Sequence, residues 1–81
     1  MKVPVANAPH LIEHFWEMAK RYHEYHAEYL EKAAASTDPV VKEVWEQMAE
    51  SELKAARTMQ SDADDLLAQF EAAGGSYQRK Q

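Results

Sequence analysis

Hydrophobic residues recur along this chain every three or four positions, the spacing of an amphipathic helix and not the strict alternation of a strand. From His10 to about Ala35, Ile12, Ala19, His26 and Ala33 repeat every seven residues. So do Phe15, Tyr22 and Tyr29, flanked by Leu11, Met18 and Tyr25 and by Trp16, His23 and Leu30. This apolar arc is broader than one partner helix can cover, so an isolated hairpin would leave aromatic surface in water. A second helical stretch, from Pro39 to about Ala73, sets Val41, Trp45, Met48, Glu52, Ala55, Met59, Asp62, Leu66 and Phe70 on a three-four seam. Two members of that seam are acidic.

The breakers agree with the periodicity. Proline stands at Pro4, Pro9 and Pro39 and glycine only at Gly74 and Gly75, which leaves two long uninterrupted stretches. Pro9 suits a first helical turn, Asp38 an N-cap with Pro39 at the first helical position, and Gly74 a left-handed C-cap. The expected organisation is an N-terminal extension over 1–9, a helical hairpin over 10–73 with helices at about 10–35 and 39–73, and a polar, mobile tail over 74–81. The short connection makes the helices antiparallel, and two such hairpins would close both apolar faces as a four-helix bundle. There is no internal repeat or low-complexity segment.

Composition sharpens this expectation. Of the 37 hydrophobic residues among 81, 14 are alanine, leaving 23 large side chains for a core. Domains this small often gain stability by oligomerising, so self-association is expected. The net charge of −5 and the lack of a basic block argue against nucleic acid and membrane surfaces as partners. No apolar run approaches the roughly 20 residues of a bilayer span, and the first residues lack the apolar core of a signal peptide. A cytoplasmic location follows as the default. The chain has no cysteine, so chemistry falls to His, carboxylate and Tyr.

The segment from Tyr22 to Ala55 resembles the central hairpin of rubrerythrin-type and encapsulated ferritin-like proteins. The resemblance is carried by Tyr29, Ala33-Ala34, Thr37-Asp38-Pro39, Val41-Lys42, Trp45, Met48-Ala49 and Glu50-x-Glu52. It implies a ferritin-like four-helix bundle, with two-helix chains dimerising to complete the bundle and its metal site. The family's ligands are a Glu seven residues before the Tyr and a Glu-x-x-His in the second helix. Here those positions hold Tyr22, and Glu52 followed by Ala55 where the histidine belongs. Glu52 alone matches, so di-iron ferroxidase chemistry does not carry over. A degenerate scaffold and a site rebuilt with other ligands both remain open.

Glu52 on the inward seam needs a partner, because burying an unpaired carboxylate is costly. Antiparallel pairing about a turn at 36–38 sets Glu52 near the level of His23, with His26 one turn away on the inward face. Two-fold assembly would then gather two carboxylates and two or four imidazoles, a set suited to iron, zinc or another divalent ion. The expected ligands are Glu52, His26 and then His23, with Tyr22 lining the site. The plainer alternative is that His26 donates a hydrogen bond to Glu52 or to a tyrosine hydroxyl and no metal is present.

A weaker metal candidate joins His10 and His14, four residues apart, with Asp62, Asp64 and Asp65 at the same level; surface hydrogen bonds or weak ion pairs explain it as well. Phe15, Trp16, Tyr22, Tyr25, Tyr29 and Trp45 could stack on a nucleobase or haem, although such stripes usually form core or subunit interface. Glu17 with Arg21 and Glu28 with Lys32 are spaced as surface ion pairs. No phosphate loop is present, and no serine has a base and orienting acid nearby, which argues against hydrolytic and phosphotransfer catalysis. The leading expectation is therefore a homo-oligomeric, non-catalytic metal-binding bundle. The rivals are a metal-free adaptor or inhibitor offering a helical face to a larger protein, and an oligomer that sequesters a small ligand.

Overall fold

A computed structural model describes residues 8–77 of the chain. Among these residues the structure is all-helical, with α1 at Ala8–Ala35 and α2 at Pro39–Ala72 and no strand. The expected extension over 1–9 falls largely outside the described residues, as do the last four residues of the expected tail. No helix of the described residues is long and apolar enough to cross a membrane.

The connection forms as local chemistry dictates. The Ser36 hydroxyl donates to the Lys32 carbonyl at 2.9 Å and the Ser36 amide to the Ala33 carbonyl at 3.2 Å, satisfying acceptors that the end of α1 leaves open. Asp38 then takes an extended conformation (φ −88°, ψ 120°), and its carboxylate accepts the Val40 amide at 2.9 Å. Pro39 occupies the first turn, where its missing N–H costs nothing.

At the far end, α2 closes with a paired-bond glycine turn. Gly74 adopts φ +91°, its amide donates to Glu71, and the Gly75 amide donates to Phe70, both at 3.0 Å. Two otherwise orphaned carbonyls are thereby satisfied by a left-handed residue that favours glycine. Gly75 is fixed for a second reason: a Cβ there would collide with the Phe70 ring. The chain leaving this turn folds back onto α1. Tyr77 packs its ring 5.6 Å from that of Trp16 and donates its hydroxyl to Glu13 at 3.0 Å. It covers a small cluster of Ala8, Ile12, Leu66 and Phe70.

The two helices meet along alanine. Ala49, Ala56 and Ala63, seven residues apart on α2, are fully buried, and Ala8, Ala19 and Ala33 on α1 are nearly so. Ile12 is the largest fully buried side chain among the described residues. Small residues let helix axes approach toward the short end of the usual range of about 8–10 Å. This corrects the expected seam. The rows Trp45–Glu52–Met59–Leu66 and Ala49–Ala56–Ala63–Phe70 face α1, whereas Val41, Met48 and Asp62 are exposed and Ala55 is half-buried. Size explains the shift by one row, because the row with the least bulk at every turn allows the closest approach, and larger apolar residues are displaced to the flank.

The molecule measures 54 × 27 × 14 Å. Since one helix with its side chains is about 10–12 Å across, 14 Å is the thickness of one helical layer, with two broad sides. On one side Phe15, Tyr22 and Tyr29 of α1 lie beside Trp45, Glu52, Met59 and Leu66 of α2. The rings of Tyr29 and Trp45 are 5.6 Å apart, and Tyr25 stacks on Tyr29 at 6.4 Å. Lys32 sits 4.9 Å above the Trp45 ring and 3.8 Å from Glu28, forming the expected exposed i,i+4 pair. The other side carries Trp16, His23 and Leu30 beside Leu53, Gln60 and Leu67.

Candidate functional site

His26 belongs to the heptad row of Ile12, Ala19 and Ala33, and is the one polar member of a row otherwise built for close packing. Its half-buried ring reaches across to α2, where Nδ1 lies 2.7 Å from the Ala49 carbonyl oxygen. A carbonyl oxygen only accepts, so Nδ1 carries the proton and donates. In the neutral imidazole the lone pair is then on Nε2. The second lone pair of a backbone carbonyl lets Ala49 accept this bond while serving the helix.

The His26–Ala49 bond and the Tyr29–Trp45 contact fix the antiparallel register, and with it the level of Glu52 beside Tyr22 and His23. This level lies about midway along the hairpin. Glu52 is half-buried and shares its edge with Trp45 and Met59; Tyr22, also half-buried, lies on the matching edge of α1. His23 is one residue further on. A step of about 100° per residue turns it to the opposite edge, with Trp16 and Leu30, where it is exposed. Thus the hairpin sets Glu52 and Tyr22 on one edge, keeps His26 in the inner row against Ala49, and turns His23 to the other edge.

His10 and His14 are exposed on the outer surface near the start of α1, and the His14 ring lies 6.0 Å from that of Phe15. Asp62 and Asp65 are exposed as well, so Asp62 does not lie on the inward seam where its spacing suggested. Asp64 accepts a hydrogen bond from Gln60 at 3.0 Å. Among the described residues, no three His, Asp or Glu side chains of one chain come together as a metal-holding group.

The side bearing Glu52 is also where large apolar groups remain in water. Tyr25 is 44% exposed, Val41 44% and Met48 39%. These three belong to the rows just outside the intrachain seam, and they flank the level of Glu52 toward the connection end. Val40 at 70%, Val44 at 51% and Leu30 at 45% extend apolar exposure around that end.

Two features escaped the sequence reading: the Ala49 carbonyl as the partner of His26, and the return of Tyr77 onto α1. The seven-residue spacing of Ala49, Ala56 and Ala63 signals the first, because it marks the row that approaches α1 and so the backbone within reach of an inward imidazole. Nothing comparable announces Tyr77. Compared with known proteins, the chain matches no family model, no curated protein and no solved structure.

Proposed function

We propose that two copies of the hairpin pair through the Tyr22 edge into a ferritin-like four-helix bundle that binds a divalent cation, iron or zinc by ligand type, between the Glu52 and His26 side chains of both copies. The observation that carries this reading is the 2.7 Å bond from His26 Nδ1 to Ala49. Histidine ligands of metals commonly donate their other ring nitrogen to a carbonyl or carboxylate, which fixes the tautomer and aims the ligating lone pair. His26 has that arrangement, and its acceptor Ala49 precedes the half-buried Glu52 by three residues on α2.

Assembly and ligation support each other. A two-fold axis through the middle of the Tyr22 edge would bring Glu52 toward its counterpart in the second copy. Two carboxylates so placed repel unless a cation or a shared proton sits between them. Imidazole and carboxylate suit zinc, iron and related divalent ions. Tyr22 adds a hydroxyl to the same edge. With Tyr22 and Ala55 at positions where the family it resembles uses Glu and His, the role is binding, not ferroxidase chemistry. The cysteine-free, acidic chain suits the cytoplasm. The test is elemental analysis after metal loading and dialysis: the wild type retains metal, and Glu52→Ala releases it.

A second reading, a metal-free protein that offers a helical face to a larger partner, is favoured by the exposed Val40, Val44 and Leu30 at the connection end. Its signature is a Glu52→Gln variant that melts higher than the wild type, with oligomeric state and melting unaffected by chelator.

A further inference from the structure

Two asymmetries of the hairpin fall on the same half. Every exposed large apolar side chain among the described residues, namely Tyr25, Leu30, Val40, Val41, Val44 and Met48, lies in the half that ends in the connection, and the other half has none. The charge divides in the same place. Residues 22–55 hold eight of the 14 Asp and Glu but three of the nine Lys and Arg, whereas the rest of the chain holds six of each. The whole net charge of −5 therefore belongs to the connection half. Two of its three lysines are matched by its own glutamates, Lys32 by Glu28 at 3.8 Å and Lys54 by Glu50 at 3.4 Å.

We infer that the connection half is a docking surface for a basic amphipathic helix of another protein. The inference rests on the reading of the chain as a protein that offers a helical face to a partner, and it names that partner's chemistry. Val41, Val44 and Met48 follow one another by three and four residues along the first turns of α2, the pattern of a helix-packing seam, and Val40 widens it. Tyr25 of α1 lies at the level of Met48, with Tyr29 and Trp45, 5.6 Å apart, between the two rows. Glu43 and Gln47, joined at 3.4 Å, follow Val40 and Val44 by three residues and border the stripe with polar and negative groups. The described residues include no strand whose edge an extended peptide would join, so a helix laid along the stripe is the mode that fits. Charge selects the occupant. A second copy offers either the same acidic half or the charge-balanced one and leaves the excess unmatched, while an anionic membrane or nucleic acid is repelled. Lys and Arg beside an apolar stripe match both features at once and fix the register of docking.

The test uses the full-length protein and a fluorescein-labelled Lys/Leu amphipathic helix of about five turns, with binding read by fluorescence anisotropy. Two control peptides separate the contributions: a Glu/Leu helix of the same pattern, and a Lys/Ser peptide of the same charge without the apolar stripe. The Lys/Leu helix is expected to bind at least about tenfold tighter than either control, and more weakly as salt rises. Val44→Asp, with helicity checked by circular dichroism, is expected to weaken binding about tenfold or more, although an added carboxylate would tighten a contact made by charge alone. Glu43→Lys is expected to weaken it too, whereas Glu71→Lys, the same change of charge in the other half, leaves it within about twofold. If the Lys/Ser peptide binds as tightly as the Lys/Leu helix, or Glu71→Lys weakens binding as much as Glu43→Lys, the docking surface is overturned. A Glu/Leu helix that binds as tightly and depends on Val44 removes the basic partner and leaves the helical-face reading standing. Binding of none of the three peptides overturns both.

Discussion

His26 donates its Nδ1 proton to the carbonyl of Ala49 across 2.7 Å, joining the two helices at the one polar position of the innermost row of α1. Replacing His26 by alanine would extend the small-residue row while removing this bond. A net hydrogen bond is worth about 0.5–1.5 kcal/mol, and better alanine packing offsets part of it. The metal-free His26→Ala protein is therefore expected to lose no more than about 1 kcal/mol in urea unfolding, yet to lose bound metal on dialysis. Undiminished metal retention would remove His26 from the ligand set.

The alanine seam makes a sharper structural prediction. Ala56 is fully buried between the helices, whereas its neighbour Ala55 is half-buried on the flank. Ala56→Leu should force the helices apart at a cost of about 1–3 kcal/mol or more, and Ala55→Leu should stay within about 1 kcal/mol of the wild type. Denaturant midpoints of the two variants decide the point, and the reverse order would restore the seam first expected from spacing.

That comparison also marks how far the sequence reading reached. Asp38, Pro39 and Gly74 are legible because caps act locally: their backbone preferences do not depend on the partner helix. The two helices and their antiparallel register follow from the breakers and the short turn. The rotation of α2 does not, since Val41, Met48 and Asp62 keep the same three-four spacing as the true seam, and bulk decides between rows. Reading alanine as neutral filler hid the closest contact. His23, adjacent to Tyr22 in sequence, turns to the edge opposite Glu52. Tyr77 was illegible because its contacts join residues 64 positions apart through a turn whose exit direction depends on Phe70.

Both ends of α2 can be tested. Asp38→Ala removes the carboxylate that accepts the Val40 amide and should cost about 1 kcal/mol. Gly75→Ala sets a methyl group against the Phe70 ring, so the turn must shift. Its expected result is loss of the Tyr77 contact, read as increased solvent quenching of tryptophan fluorescence. A Gly75→Ala protein with wild-type quenching and stability would contradict the described turn.

Glu52→Gln separates a ligand from a buried liability. As a ligand, Glu52 makes the wild type melt higher with metal than after chelation, and the Gln variant should lose that difference. Metal that binds the folded bundle but not the unfolded chain raises stability by mass action, about 2.7 kcal/mol at a hundredfold excess over Kd. If the Gln variant melts higher than the wild type and chelator affects neither, Glu52 is not a ligand.

The central claim, a metal held between two copies, is tested most directly by native mass spectrometry of the full-length protein after divalent metal loading and dialysis, reading mass and metal on the same ions. The account predicts a species of twice the 9.3 kDa chain, or an even multiple of it, carrying at least one metal ion for each pair of chains. A single-chain species, or an assembly with less than about one tenth of an equivalent of metal per chain, would contradict it.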